Sequence, residues 1–213
     1  MRKGSFVRIT LENNALVNLE NGTGQIDALR ELRALHKARK ICICIPAMAA
    51  SENQRGNMAI PNYGQFLEFL KKIDLHDMEE LLPVCFWDVT FWDHCVFADD
   101  MTLDRAIHDI LFPGVQYDHE NNDEMATSED GVSKKWRNVK CDVQALWCHI
   151  HYGADIFVTE DKNFHRTTKK PKLLKLGAKR IDRPAEALAF LKGHGIGPTD
   201  QVTSGARNTY RRG

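Results

Sequence analysis

The chain has 213 residues, of which 43% are hydrophobic and 27% are charged, the usual proportions of a globular domain. Lysine plus arginine and aspartate plus glutamate both number 29, and this balance argues against a protein that holds nucleic acid by bulk charge alone. No apolar run approaches the roughly 18 residues that a membrane span needs, and no signal-peptide core follows the basic N-terminal residues. We therefore expect a single cytoplasmic domain with no membrane contact.

Strand-like and helix-like segments alternate along the chain. The strand candidates are apolar runs at residues 6–11, 40–45, 155–158 and 178–181. The helix candidates lie at residues 15–19, 25–38, 62–73, 102–111, 142–152, 173–176 and 185–191. Residues 81–100 fit either element, and residues 116–135 are polar enough to be a surface loop. This alternation predicts an α/β fold, a three-layer α/β/α sandwich around a central, mostly parallel sheet.

Four acidic residues fall where predicted strands end or predicted helices begin. They are Glu12 after the first strand, Glu52 shortly after the second, Asp142 at the start of the late helix and Asp161 after the strand behind it. Because the carboxyl ends of parallel strands share one edge of the sheet, we expect these carboxylates to converge there. Such clusters suit Mg²⁺ or Mn²⁺ better than zinc, and these ions activate water for phosphodiester hydrolysis. The hydroxyl of Thr159 is placed to hydrogen-bond the same group.

Cysteine and histidine residues offer a second candidate metal site. Cys141, Cys148, His149 and His151 lie close together in the sequence. The two histidines fall on different sides of a helix, and two cysteines are too few for a zinc site, so packed or surface side chains are the better interpretation. The chain has six cysteines without Cys-x-x-Cys spacing, and we expect them to be reduced thiols.

Three segments resemble PIN domains. The segment LENNALV at residues 11–17 is similar to the opening of that family, where an acid and an asparagine follow the first strand. The segment CDVQALWCHIHYGADIFVTEDKNF at residues 141–164 resembles the late family signature more closely, and LLKLGAKRIDRPAEALAFL at residues 173–191 resembles the last strand and helix. The resemblance implies a PIN-like nuclease domain over residues 5–192, with residues 83–140 as a family-specific insertion and loop. A flexible basic tail would follow at residues 193–213.

PIN domains are typically Mg²⁺- or Mn²⁺-dependent ribonucleases that act as toxins of toxin–antitoxin pairs or in RNA processing. The resemblance implies an endoribonuclease with the catalytic, metal-binding residues Glu12, Glu52, Asp142 and Asp161, supported by Asn14 and Thr159. It also implies an antitoxin or regulatory protein as a partner, and a homodimer is a further expectation. The family usually has aspartate where this chain has Glu12, which places the carboxylate one methylene farther from the backbone.

A basic segment follows Asp161 directly and comprises Lys162, His165, Arg166, Lys169 and Lys170. A charge run is usually a solvated surface, but beside a metal site this one is expected to contact the phosphates of single-stranded RNA. Two alternatives stay open: a non-catalytic PIN-like module that binds RNA or protein, and a different Mg²⁺-dependent phosphate-transfer enzyme. The second is less favoured because the chain has no glycine-rich phosphate-binding loop.

Overall fold

The computed structural model describes residues 6–52, 63–86, 89–118 and 134–197. Its strands are β1 (Val7–Leu11), β2 (Ile41–Pro46), β3 (Glu79–Leu81), β4 (Ile156–Val158) and β5 (Ile181–Asp182). Its α-helices are α1 (Asn13–Asn21), α2 (Ile26–Lys37), α3 (Ala49–Glu52), α4 (Tyr63–Lys72), α5 (Thr102–Leu111), α6 (Lys134–His151), α7 (Lys170–Lys175) and α8 (Pro184–Gly193). Within the described ranges, no helix combines the length and the apolar character needed to cross a membrane.

The five strands form one parallel sheet in the order β3-β2-β1-β4-β5. The central strand β1 pairs with β2, where Ile9 is opposite Ile43, and with β4, where Leu11 is opposite Val158. Helices cover both faces of the sheet, which is why β2 and β4 read as almost unbroken apolar runs, ICICIP and IFV. The predicted three-layer α/β/α sandwich is confirmed.

Alternate side chains of the strands pack into two cores, one on each face of the sheet. On the first face, Ile9 and Ile43 pack against apolar residues of α1, α2, α4 and α8. On the second face, Cys44 and Phe157 pack against residues of α5, α6 and α7. The helix α6 therefore lies directly on the sheet, so its side chains can meet residues that follow the strand ends.

The helix that carries Asp142 begins earlier than the sequence predicted. Because α6 begins at Lys134, Asp142 lies inside the helix and does not open it. The added turns bury Trp136 and Val139, which continue the apolar face of the helix at a spacing of three residues. The polar residues around them obscured this periodicity in the sequence. The predicted end of the helix is confirmed, since Gly153 adopts a left-handed conformation with φ of 65°.

The sheet ends on one side in a short edge strand that the sequence did not reveal. The strand β3 has three residues, two of them glutamates, a residue type that strands disfavour. Glu79 forms an ion pair with Arg8 of β1 at 2.5 Å, and Glu80 contacts the ring of His94 at 2.7 Å. Long-range partners therefore stabilise a strand that local propensity does not favour. The last strand also differs from its predicted position, lying at β5 instead of residues 178–181.

A buried ion pair joins α5 to α6. Asp104 and Lys140 are both fully buried, and Nζ of Lys140 lies 3.4 Å from Oδ1 of Asp104. The carboxylate of Asp104 also accepts hydrogen bonds from the hydroxyl of Tyr117 and the side-chain amide of Gln144. Oε1 of Gln144 accepts a hydrogen bond from the backbone N–H of Val84 at 2.8 Å. The described parts of the predicted insertion, residues 83–140, are thereby tied into the core.

Candidate functional site

Glu12 lies where β1 gives way to α1. Its backbone N–H donates a hydrogen bond to the carbonyl of Val158, the last residue of β4, at 3.1 Å. Glu12 is only 4% exposed. Its carboxylate accepts hydrogen bonds from the N–H of Asn14 at 3.3 Å and from the hydroxyl of Thr159 at 3.1 Å. Glu12 is thus both the N-terminal cap of α1 and the link between the ends of two central strands.

The turn after β4 is held by Asn14 and Thr159, the two residues predicted to support the site. The hydroxyl of Thr159 accepts hydrogen bonds from the side-chain amide of Asn14 at 3.2 Å and from the N–H of Asp161 at 3.0 Å. The side-chain oxygen of Asn14 accepts a hydrogen bond from the N–H of Glu160 at 3.2 Å. These contacts fix the backbone of Asp161 relative to Glu12.

Asp142 approaches these two acids from α6. Burial, together with the negative charges of Glu12 and Asp161, raises the pKa of Asp142 well above its ordinary value. Burial also raises the pKa of Glu12 to about 7, against the opposing effect of the hydrogen bonds from Asn14 and Thr159. The charge of Asp161 adds to this increase. The shared hydrogen bonds of Thr159 place Glu12 and Asp161 at one edge of the sheet, and Asp142 lies near enough for its pKa to respond to the charges of both.

The fourth predicted acid, Glu52, is the last residue of α3. Its side chain lies outside the described part of the structure, so its role as a metal ligand stays a prediction. The helix itself is suitably placed, because α3 packs against α6, which carries Asp142.

The three gathered acids form a donor set that fits Mg²⁺ or Mn²⁺. Carboxylate oxygens are the ligands that hard divalent cations prefer, and a cation relieves the mutual repulsion of buried carboxylates. Among the described residues, the only metal-ligating group of three whose atoms lie within 4.8 Å of one another is elsewhere, at Cys42, Cys44 and Glu79. The three acids therefore do not form so close a group in this structure, and an ion bound by all three would require side-chain movements or bridging water.

The basic segment after Asp161 divides into exposed and anchored residues. Lys162 and Arg166 are exposed, and His165, Lys169 and Lys170 are partly exposed. Nε2 of His165 donates a hydrogen bond to the carbonyl of Thr159 at 2.9 Å, and Nζ of Lys169 donates to Oδ1 of Asn163 at 2.5 Å and to the carbonyl of Leu111. All five basic residues were predicted to contact RNA, and His165 and Lys169 also hold the loop in place.

The sequence does not indicate a structural role for Glu160, which lies between Thr159 and Asp161. Its Oε2 accepts hydrogen bonds from the side-chain amide of Asn18 at 2.5 Å and from the N–H of Gln25 at 3.3 Å. These partners lie in α1 and just before α2, so Glu160 turns toward those helices and braces the turn. Neighbouring acids at positions 160 and 161 therefore have different environments, which the sequence order alone does not indicate.

The four cysteine and histidine residues considered as a zinc site do not form a group of metal ligands in the described structure. Cys141 and Cys148 are buried, while His151 is exposed and stacks on Trp147 with ring centres 4.3 Å apart. His149 is fully buried, with Nδ1 3.0 Å from the hydroxyl of Thr10 and Nε2 3.1 Å from the carbonyl of Ala178. The packed and surface interpretation of these side chains is therefore the one that the structure favours.

Because His149 is buried, we expect the stability of the folded chain to depend on pH. Burial lowers the pKa of His149 to about 4. An unfolded chain has a histidine pKa of about 6.5, so it binds a proton between these values that the folded chain does not. We expect stability to fall as pH drops from 7 to 4.5, with about 2 kcal/mol of the fall due to this side chain. His149→Gln should show a smaller fall than the unaltered chain in urea unfolding at both pH values. Equal falls would contradict this assignment.

Comparison of the chain with models of protein families, with curated proteins and with solved structures finds no match. The site is therefore interpreted from its own residues. It offers carboxylates from three separate elements, of which Glu12 is buried and Asp142 and Asp161 are partly exposed, together with a hydroxyl and an amide that hold this part of the fold and exposed basic side chains beside them. This combination suits the binding of a cation and a phosphate ester at one edge of the sheet.

Because the three carboxylates lie close together, we expect the folded chain to become more stable when one of them is replaced by a neutral side chain. In metal-free buffer near pH 8, the free energy of unfolding of Asp142→Asn should exceed that of the unaltered chain by about 1 kcal/mol or more. Burial, with a smaller contribution from the charge of Asp161, raises the folded-state pKa of Glu12 from 4.5 to about 7, so the cost of ionising Glu12 is absent below pH 4.5 and is fully developed above pH 7. Thermal unfolding with and without chelator measures the difference.

Asp27→Asn is the matched control, because it removes the same charge from a side chain that is 97% exposed. We expect this change to leave stability within about 0.5 kcal/mol. Mn²⁺ at a hundred times its dissociation constant should add about 2.7 kcal/mol to the unaltered chain and to Asp27→Asn, but far less to Asp142→Asn. If Mn²⁺ stabilised all three proteins equally, Asp142 would not be a metal ligand.

Proposed function

We propose that this chain is a cytoplasmic, metal-dependent endoribonuclease that hydrolyses the phosphodiester bonds of single-stranded RNA on a PIN-like domain. The observation that carries the proposal is the gathering of Glu12, Asp142 and Asp161 at the carboxyl ends of the central strands. In parallel α/β sheets, this edge is where ligands bind. Two of these acids have raised pKa values, which is a common property of functional carboxylates.

These three acids, with Glu52 as a fourth, would hold Mg²⁺ or Mn²⁺. A bound ion supplies a water molecule of lowered pKa and offsets the negative charge that develops on the phosphate. The chain's own part is to hold the carboxylates in place before any ligand arrives. Thr159 does so by donating to Glu12 while accepting the N–H of Asp161, so one hydroxyl positions two acids from opposite ends of the chain.

The RNA backbone would run along the turn that follows Asp161. Lys162 and Arg166 are exposed there, and Lys170 opens α7 a short distance further on. Basic side chains that contact phosphates fix the position of a nucleic acid without reading its sequence. We therefore propose that this segment brings the backbone of the RNA to the acids, and that substrate choice depends on other surfaces.

The test is cleavage of a labelled, unstructured RNA by the full chain in Mn²⁺, in Mg²⁺ and in EDTA. We expect internal cuts with either metal and none in EDTA, and no cleavage of a DNA strand of the same sequence. A small phosphate ester run in parallel distinguishes a nuclease from a general phosphate-transfer enzyme. Failure to cut any RNA, together with no stabilisation by Mn²⁺, would contradict the proposal.

A second candidate is a non-catalytic module that binds RNA or a regulatory protein. Both carboxylate oxygens of Glu12 already accept hydrogen bonds from Asn14 and Thr159, so this acid is satisfied without an ion. Under this alternative the chain binds RNA, an antitoxin-like protein or a second copy of itself, and neither cuts RNA nor responds to Mn²⁺. Gel-shift and cleavage measured on the same labelled RNA separate the two candidates.

A further inference from the structure

A group of sulfur and oxygen ligands lies on the second face of the sheet, away from the acids. Cys42 and Cys44 are two residues apart on β2, so their side chains point to the same face. Glu79 is the first residue of β3 and lies opposite Cys44 in the strand register. Arg8 of β1 lies opposite Cys42. Neighbouring strands therefore place two thiols, a carboxylate and a guanidinium side by side.

The distances within this group match a tetrahedral metal site. Sγ of Cys42 lies 3.5 Å from Oε2 of Glu79, and Sγ of Cys44 lies 3.6 Å from the same oxygen. One ligand atom from each of the three residues falls within 4.8 Å of the other two. A tetrahedral zinc ion with bonds of about 2.3 Å to sulfur and about 2.1 Å to oxygen keeps such ligands about 3.6 Å apart. Both sulfur-to-oxygen separations are those that zinc requires, and the two sulfur atoms lie within 4.8 Å of each other.

Charge and exposure also suit an ion at this place. Burial raises the pKa of both thiols, so they would lose their protons only on binding a cation; the resulting two thiolates and one carboxylate would carry three negative charges, which a divalent cation and the nearby Arg8 would balance. The guanidinium of Arg8 holds Glu79 through Nε at 3.1 Å and Nη2 at 2.5 Å, and it also donates to the carbonyl of Tyr152. Hydrogen bonds of this kind orient metal-binding carboxylates. Cys44 is buried while the side chain of Glu79 is 42% exposed, so one side of the group faces water.

We propose that Cys42, Cys44 and Glu79 form a zinc-binding site, with water as the fourth ligand. Thiolate ligands select zinc over Mg²⁺ or Mn²⁺, so this site and the acidic cluster take different ions. The site is independent of the proposed nuclease activity. Its structural effect is to join the three-residue edge strand β3 to β2 by bonds stronger than the pairing of so short a strand.

The test uses the full chain, freed of metal by chelation and titrated with Co²⁺ as an optical probe for zinc. We expect one Co²⁺ per chain with the absorption of tetrahedral cobalt and a sulfur-to-metal charge-transfer band, both lost when Zn²⁺ is added. Cys42→Ser, Cys44→Ser and Glu79→Gln should each lower the affinity for Zn²⁺ by at least about 100-fold in competition with a chromophoric chelator.

Cys95→Ser is the matched control, because Cys95 is half-buried like Cys42. It should bind Co²⁺ and Zn²⁺ as the unaltered chain does, and so should Asp142→Asn, which alters only the acidic cluster. A titration to saturating Co²⁺ that develops no charge-transfer band, or a band of undiminished intensity in Cys42→Ser, would overturn the proposal.

Alkylation of the unaltered chain gives a test that does not depend on the folding of any variant. Zn²⁺ should slow the reaction of Cys42 with iodoacetamide at least about 10-fold, as followed by peptide mass mapping, and leave Cys95 unaffected. Equal rates at Cys42 with and without Zn²⁺ would also overturn the proposal.

Discussion

Asp142→Asn is expected to lower Mn²⁺-dependent cleavage of RNA by at least about 10²-fold. Asparagine keeps the size of the side chain but removes the charge that a hard cation needs. The change also removes the repulsion with Glu12 and Asp161, so the variant should be folded and slightly more stable than the unaltered chain. A loss of activity in a more stable protein cannot be attributed to unfolding. Initial rates on labelled RNA at saturating Mn²⁺ measure the effect.

Two further variants serve as controls for this measurement. Asp161→Asn should behave like Asp142→Asn, and Asp27→Asn, which changes a carboxylate on the exposed surface of α2, should cleave at the normal rate. If cleavage in Mn²⁺ persisted at more than a tenth of the normal rate in both site variants, the acidic cluster would not be the nuclease centre.

Lys140→Met should destabilise the chain by about 3–5 kcal/mol, the largest effect on folding that we expect from a single substitution. The change leaves Asp104 fully buried without the ammonium group 3.4 Å away. It also removes a cation that lies 3.5 Å from the ring centre of Tyr117. Burial already lowers the pKa of Lys140, and the charge of Asp104 opposes that change, so each group depends on the other. Urea unfolding at pH 7 measures the loss.

Two comparisons make this result specific. The double variant Asp104→Asn with Lys140→Met should recover part of the lost stability, because a neutral amide replaces the unpaired charge and still accepts a hydrogen bond from Tyr117. Lys71→Met breaks an ion pair with Glu68 whose side chains are 60% and 71% exposed, and should cost no more than about 1 kcal/mol. A double variant no more stable than Lys140→Met would show that the charge of Asp104 is not the cause.

The order of strands and helices could be predicted from the sequence because apolar residues follow the period of each element. The helix at residues 102–111 was predicted with the bounds of α5. Where prediction failed, contacts between distant residues decided the structure. The strand β3 carries two glutamates, and Arg8 and His94 stabilise it from other parts of the chain. The start of α6 was missed because buried Trp136 stands among polar neighbours.

The acids of the site could be predicted because their place in the chain follows from topology. Residues directly after parallel strands share one edge, so Glu12 and Asp161 were expected to meet there. The contacts that hold them could not be predicted, since the bond from Thr159 to Glu12 joins residues 147 positions apart. The thiol group at Cys42 and Cys44 was visible in the alternation of KICICI, but its third member belongs to the unexpected strand β3.

The position of β4 between β1 and β5 has a consequence for biosynthesis. A chain growing on the ribosome contains Glu12 early, at the end of β1, yet its partners Thr159 and Asp161 emerge only after most of the protein has been made. At roughly 5–20 residues per second, this leaves a delay of several seconds or more. During that delay the acidic cluster does not exist, so the proposed nuclease centre is not assembled while most of the chain's own messenger RNA is being read.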